Sequence, residues 1–151
     1  MPNARAQPKT TLVPLETFLV GAWIATTLTA WLARRDVLRT FAADRAAALA
    51  LDGRLAFRTG VAETLIGAFL VLLALRRRAH GPSLLLPVAA FTVALAFLLY
   101  LQPEIGRLLA AGKSAGASTF LRVAYGLELG KVLVLFLAFV TLTREHAVKR
   151  R

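Results

Sequence analysis

Residues 120–142 read FLRVAYGLELGKVLVLFLAFVTL, an apolar run whose only charged side chains are Arg122, Glu128 and Lys131. An α-helix needs about 20 residues to cross the hydrocarbon core of a bilayer, so this run is long enough. Each charge inside such a helix costs roughly 2.5–3.5 kcal/mol on insertion scales unless it finds a partner. The run therefore predicts a membrane-crossing helix. It also predicts a bundle around that helix, with Glu128 and Lys131 turned inward.

Three further apolar stretches lie upstream, at about residues 15–33, 57–75 and 84–101. With 120–142 they predict an all-α membrane protein: a four-helix transmembrane bundle with an amphipathic connector after the first span. The bundle occupies residues 15–142, between a mobile tail over 1–14 and a basic tail over 143–151. Leu15 to Ala33 is longer than the apolar core of a usual signal peptide and runs straight into Arg34-Arg35, so it reads as a retained first span. The connector, RRDVLRTFAADRAAALALDGRLA over 34–56, is too charged to span but rich in helix formers. It predicts an interfacial helix with Leu38, Phe41, Ala42 and Leu49 on its apolar side, and Asp52-Gly53 as a turn. His80, Gly81 and Pro82 predict a tight turn between the second and third spans. Residues 104–119, EIGRLLAAGKSAGAST, predict a flexible polar loop.

The formal net charge is +11, from 19 Lys and Arg against 8 Asp and Glu, and the placement of the excess decides its meaning. It gathers at the ends of apolar runs, in Arg34-Arg35, Arg76-Arg77-Arg78 and Lys149-Arg150-Arg151. That pattern selects the headgroups of a lipid bilayer as partner and excludes nucleic acid, since no basic-aromatic module is present. Four spans place both termini on one side. Lys and Arg divide equally between the two sides. The undiluted RRR and KRR clusters point to cytoplasmic termini in the cell's inner membrane.

The absence of cysteine excludes disulfides, thiolate metal sites and cysteine nucleophiles. His80 and His146 fall in polar ends with no partner at metal-ligand spacing, and no histidine lies within a span where haem would need it. No metal or other cofactor is expected. Nucleophile-elbow, phosphate-loop and zinc-protease motifs are missing, so no enzyme is expected either.

The ionisable residues of the spans form the candidate site. Spans two and four run in the same direction, which brings Glu63 and Glu128 to similar depth. Lys131 lies one turn from Glu128 and can pair with it along the helix. Tyr100 and Gln102, closing span three, arrive at the same side of the membrane, as do Arg58 and Arg122. Glu63, Glu128 and Lys131 sum to −1. One carboxylate must therefore take a proton or recruit Arg58 or Arg122. Such a cluster either handles a proton or cation, or closes into an ion-pair network that only fixes helix register. Gly126 and Gly130, four apart, and Gly21 with Ala25 and Thr29 offer smooth faces for close helix packing, within the chain or against a second copy. Two functions follow as expectations. One is a small integral membrane protein acting as an accessory or stress-tolerance component, as a homo-oligomer or beside a membrane partner. The other is a small proton- or cation-coupled transporter using Glu63 and Glu128.

FAADRAAALALDGRLAFR runs into span two, YLQPEIGR closes span three, and Phe120 heads the last helix after a polar loop. In this layout the chain, over about residues 15–142, resembles the transmembrane protein 205-like domain family. That resemblance implies a four-span integral membrane protein whose biochemical role is unsettled.

Overall fold

The computed structural model describes residues 12–41, 43 and 45–148. Its elements are α1 (Leu12–Thr40), α2 (Arg45–Arg76), α3 (Pro82–Ala96), a π-helical segment (Phe97–Leu101), α4 (Gln102–Ala110) and α5 (Ser114–Val148). The segment from α3 through α4 is one continuous rod. Leu12–Thr40, Ala47–Arg76, Pro82–Ala110 and Thr119–Val148 are each long and apolar enough to cross a membrane. The protein is an all-α four-helix bundle and reads as a multi-pass integral membrane protein.

The interior of α1 is Val13, Glu16, Val20, Trp23, Thr27, Ala30 and Arg34, in alternating steps of three and four residues. That spacing is the 3.5-residue seam of antiparallel bundles, which keeps one stripe facing its neighbours. α2 and α5 both pack on α1, and α3 closes the ring by packing on the same two, so α1 and α3 are diagonal among the described residues. The outward faces carry exposed Phe18, Leu65, Leu72, Leu99, Leu129 and Leu133. An apolar surface of that extent would drive association in water, whereas against lipid it is simply solvated. Threonine hydroxyls inside the spans are satisfied locally: Thr17, Thr64 and Thr141 donate to the carbonyls of Val13, Gly60 and Leu137, one turn back.

Trp23 is fully buried at the centre, among Val20, Leu70, Ala90 and Leu135. Its ring lies over Gly67. A Cβ added there would stand 2.6 Å from Trp23 and 2.9 Å from Phe91, so only glycine lets α2 approach this closely. The other expected packing glycines behave differently. A Cβ at Gly21 meets only Phe139, at an ordinary 3.9 Å, and Ala25 is exposed. Gly126 and Gly130 have nothing within 4 Å of a Cβ, so they do not serve packing within the chain.

Segment boundaries depart from the sequence reading in four places. The connector is helical but divided: residues 34–40 are the last turns of α1, and 45–56 the first turns of α2. Asp52-Gly53 therefore lies within a helix, because Asp52 is needed inside; Ala42 lies outside the described residues. The expected loop over 104–119 is helical except at 111–113. Burial of Ile105 and Leu108 anchors α4, and Gly112, at φ +70°, ends it. There Gly112 N–H donates to the Leu109 carbonyl and Lys113 N–H to Leu108, a Schellman closure. Pro103, which lacks an N–H and crowds the preceding turn, accounts for the wider π-register directly before it. Finally, α1 begins at Leu12 and α5 continues to Val148, so parts of both expected tails are helical. Residues 1–11 and 149–151 lie outside the described residues.

Candidate functional site

Ionisable side chains enter the interior at three levels along α1, α2 and α5. None comes from α3 or the π-helical segment, which carry no charged residue between Pro82 and Leu101.

At the middle level, Lys131 of α5 pairs with Glu63 Oε2 of α2, both side chains almost wholly buried. The other Glu63 oxygen lies 2.7 Å from the Thr27 hydroxyl of α1. The pair sums to zero and each carboxylate oxygen has a polar partner, the single Thr27 hydroxyl proton facing both Glu63 and, at 3.0 Å, the Trp23 carbonyl. This level is closed.

About 10 Å along α1, at the helical rise, stands Arg34. It is 3% exposed, and its donors are divided between two carboxylates. Nε and Nη2 reach Asp52 of α2 at 2.7 and 3.2 Å, while Nη1 reaches Glu128 Oε1 of α5 at 3.0 Å. The guanidinium also lies 5.3 Å from the centre of the Tyr125 ring, a cation–π distance. Two carboxylates on one guanidinium leave a formal charge of −1. This triad separates two cavities. One, of about 870 Å³, is lined by Arg34, Asp52, Arg54, Phe57, Arg58 and Gln102 among others. The second, of about 570 Å³, lies between α1 and α5 and reaches Thr27, Trp31, Arg35, Tyr125 and Glu128.

The opposite end repeats the arithmetic. Arg77, just past α2, donates from Nε to Glu16 of α1 at 3.0 Å and from Nη1 to Glu145 of α5 at 2.6 Å. These contacts put the start of α1 and the ends of α2 and α5 at one end of the bundle. Arg77 turns inward because Arg78 takes the left-handed conformation (φ 55°) and closes α2, with Ala79 N–H donating to the Ala74 carbonyl. Burial works against the charge of Arg77, but the hydrogen bond to Glu145 and the charge and hydrogen bond of Glu16 outweigh it, holding the group above its ordinary pKa.

Of the residues expected from sequence, Glu63, Glu128 and Lys131 all enter the interior, but the pairing differs. Lys131 reaches across to Glu63 rather than along its own helix to Glu128, because Lys131 lies on the buried seam and Glu128 at its edge, 15% exposed. The guanidinium recruited is Arg34; Arg58 and Arg122 are exposed. Tyr100 is 66% exposed and takes no part. Gln102 Nε2 donates to the Gly53 carbonyl at 2.8 Å, tying α4 to α2 beside the larger cavity. Glu16, Thr27, Arg34, Asp52, Arg77 and Glu145 were not anticipated from sequence. The seam would have found several of them, since Glu16, Thr27 and Arg34 continue its steps through Trp23. No trio of His, Asp and Glu among the described residues converges as a metal site requires. Compared with known proteins, the chain matches no family model, no curated protein and no solved structure.

Proposed function

We propose that this membrane bundle couples proton uptake and release to movement across the membrane, with Glu128 as the exchanging carboxylate. One observation carries the reading: Glu128 shares Arg34 with Asp52, leaves one negative charge unbalanced, and lines a cavity. Protonating one carboxylate brings the triad to zero, which makes that level a proton acceptor at low energetic cost. Glu63, with both oxygens engaged, holds the helices rather than exchanging. Thr27 lines the same cavity as Glu128 and bonds to Glu63, so one residue borders both levels. The transmembrane protein 205-like layout and cytoplasmic termini belong to the same reading, and reporter fusions at each end test the latter.

The test is reconstitution into vesicles with an internal pH-sensitive dye and an imposed potassium diffusion potential. Wild type and Arg122→Gln, an exposed control, should acidify at equal rates, and Glu128→Gln at least tenfold more slowly. Equal rates in wild type and folded Glu128→Gln, or in empty vesicles, end the reading.

The open face of α5 supports a second reading, an accessory role beside another membrane helix. Gly126 and Gly130 leave room there for close approach. Light scattering of the detergent-solubilised chain, showing a lone protomer with no co-purifying protein, would remove it.

A further inference from the structure

We propose that the larger cavity binds an anionic phospholipid, its phosphate held by Arg54 and Arg58 and the start of an acyl chain held by the apolar wall. The inference needs the chain to sit in a membrane. It does not need proton exchange.

Arg54 and Arg58 lie one turn apart on α2, both exposed and both lining the cavity. Neither makes an ion pair among the described residues. Like charges at that spacing repel, and an anion seated between them reverses the sign of the interaction. Arg34, at the back of the same cavity, does not play this part, because each of its three nitrogens already donates to Asp52 or Glu128 and those two carboxylates outweigh its charge. The triad contributes −1 and the two rim arginines +2, so the site as a whole favours an anion over a cation.

The large apolar side chains of the lining are Leu49, Phe57, Ile105, Leu109 and Leu121, with Phe57 about half exposed between the two arginines. Free phosphate would gain nothing from that wall, whereas a chain attached to the phosphate would bury methylenes against it. The volume, about 870 Å³, falls within the range of small-molecule sites. Depth agrees as well. Arg54 and Arg58 stand in the first turns of the membrane-crossing segment Ala47–Arg76, where headgroups meet hydrocarbon. The neighbouring cavity also has arginines at its rim, but Arg35 lies over the Trp31 ring at 6.0 Å and Glu128 opens into it, which disfavours phosphate there.

The test titrates the detergent-purified full chain with short-chain phosphatidylglycerol, with phosphatidylcholine of the same chains, and with inorganic phosphate, reading the unfolding midpoint. Phosphatidylglycerol should raise the midpoint of wild type, and the other two should raise it much less. The double variant Arg54→Gln/Arg58→Gln should bind about 30-fold more weakly, taking about 1 kcal/mol per arginine at the membrane surface. Gly106→Leu should also lose the response, because a Cβ there meets nothing within 4 Å and the side chain would fill the cavity. It decides the matter alone if the double variant does not fold. Arg35→Gln/Arg39→Gln should respond like wild type. Equal responses to the two lipids, a full response to phosphate alone, a response that survives Gly106→Leu or the Arg54/Arg58 change, or one lost with Arg35 and Arg39, would each overturn the assignment.

Discussion

The middle and far levels of the bundle use the same kinds of side chain and reach opposite states. At the middle, Glu63 and Lys131 match one for one, Thr27 occupies the remaining oxygen, and no charge is left over. At the far level, one guanidinium serves both Asp52 and Glu128, a cavity lies on either side, and a negative charge remains. Burial alone does not separate them, since Arg34 is as enclosed as Lys131. What separates these two levels is the charge left over once their partners are counted.

The largest expected effect strikes the closed level. Lys131→Met strands the Glu63 carboxylate and should cost about 3–5 kcal/mol of stability, read by unfolding in detergent micelles. Glu63→Leu/Lys131→Met should recover most of it, because two apolar side chains leave nothing to solvate. A double variant no better than the single would show that the pair is not a self-contained unit.

At the open level the two acids should part company. Asp52→Asn breaks the two-point contact with Arg34 and should cost about 2–3 kcal/mol. Glu128→Gln leaves Arg34 and Asp52 as a neutral pair and should cost under about 1 kcal/mol while abolishing proton movement. The reverse order would erase the distinction between the levels.

Arg77 sharpens the comparison from the other end. Its pKa is raised on folding, so its contribution is complete below the ordinary arginine value and is lost only as pH rises through the still higher folded value. Arg77→Met should therefore cost about 2 kcal/mol, by the same amount at neutral and at mildly alkaline pH. A penalty that shrinks over that interval would place its titration far lower than this geometry requires.

The smallest effect separates steric from electrostatic closure. Gly67→Ala should cost about 1–2 kcal/mol by forcing the Trp23 ring aside. Gly130→Ala, with open space around it, should change stability by less than about 0.5 kcal/mol. Equal penalties would mean that the centre is not as tightly packed as its charge pairing suggests.

Much of the architecture was legible because lipid leaves few choices. Four apolar runs of sufficient length could hardly be anything but spans, and Glu63, Glu128 and Lys131 stood out within them. The arginines misled, because a cation beside an apolar run looks like a headgroup anchor whether it faces out or in. Arg34 and Arg35 are adjacent, yet only Arg34 continues the three-four stepping from Thr27 and Ala30. That phase was readable. Which acid each base would meet was not, since Lys131 choosing Glu63 over Glu128 depends on how α5 is rotated against α2. The supposed loop over 104–119 hid a helix because its glycines drew attention away from Ile105 and Leu108, a turn's spacing apart.

The charge-free stretch from Pro82 to Leu101 has a mechanical consequence. A one-turn slide of α2 or α5 would misalign ion pairs at both ends of the bundle and at its centre, and a slide of α1 would misalign those at both ends together with the Thr27 hydrogen bond, so those three are pinned against ratcheting. Among the described residues, the rod that begins with α3 is bound to them by apolar contact alone down to Gln102. It can tilt without breaking a single ion pair. The widened turn ahead of Pro103 is the one place where the register of that rod departs from the α-helix among the described residues.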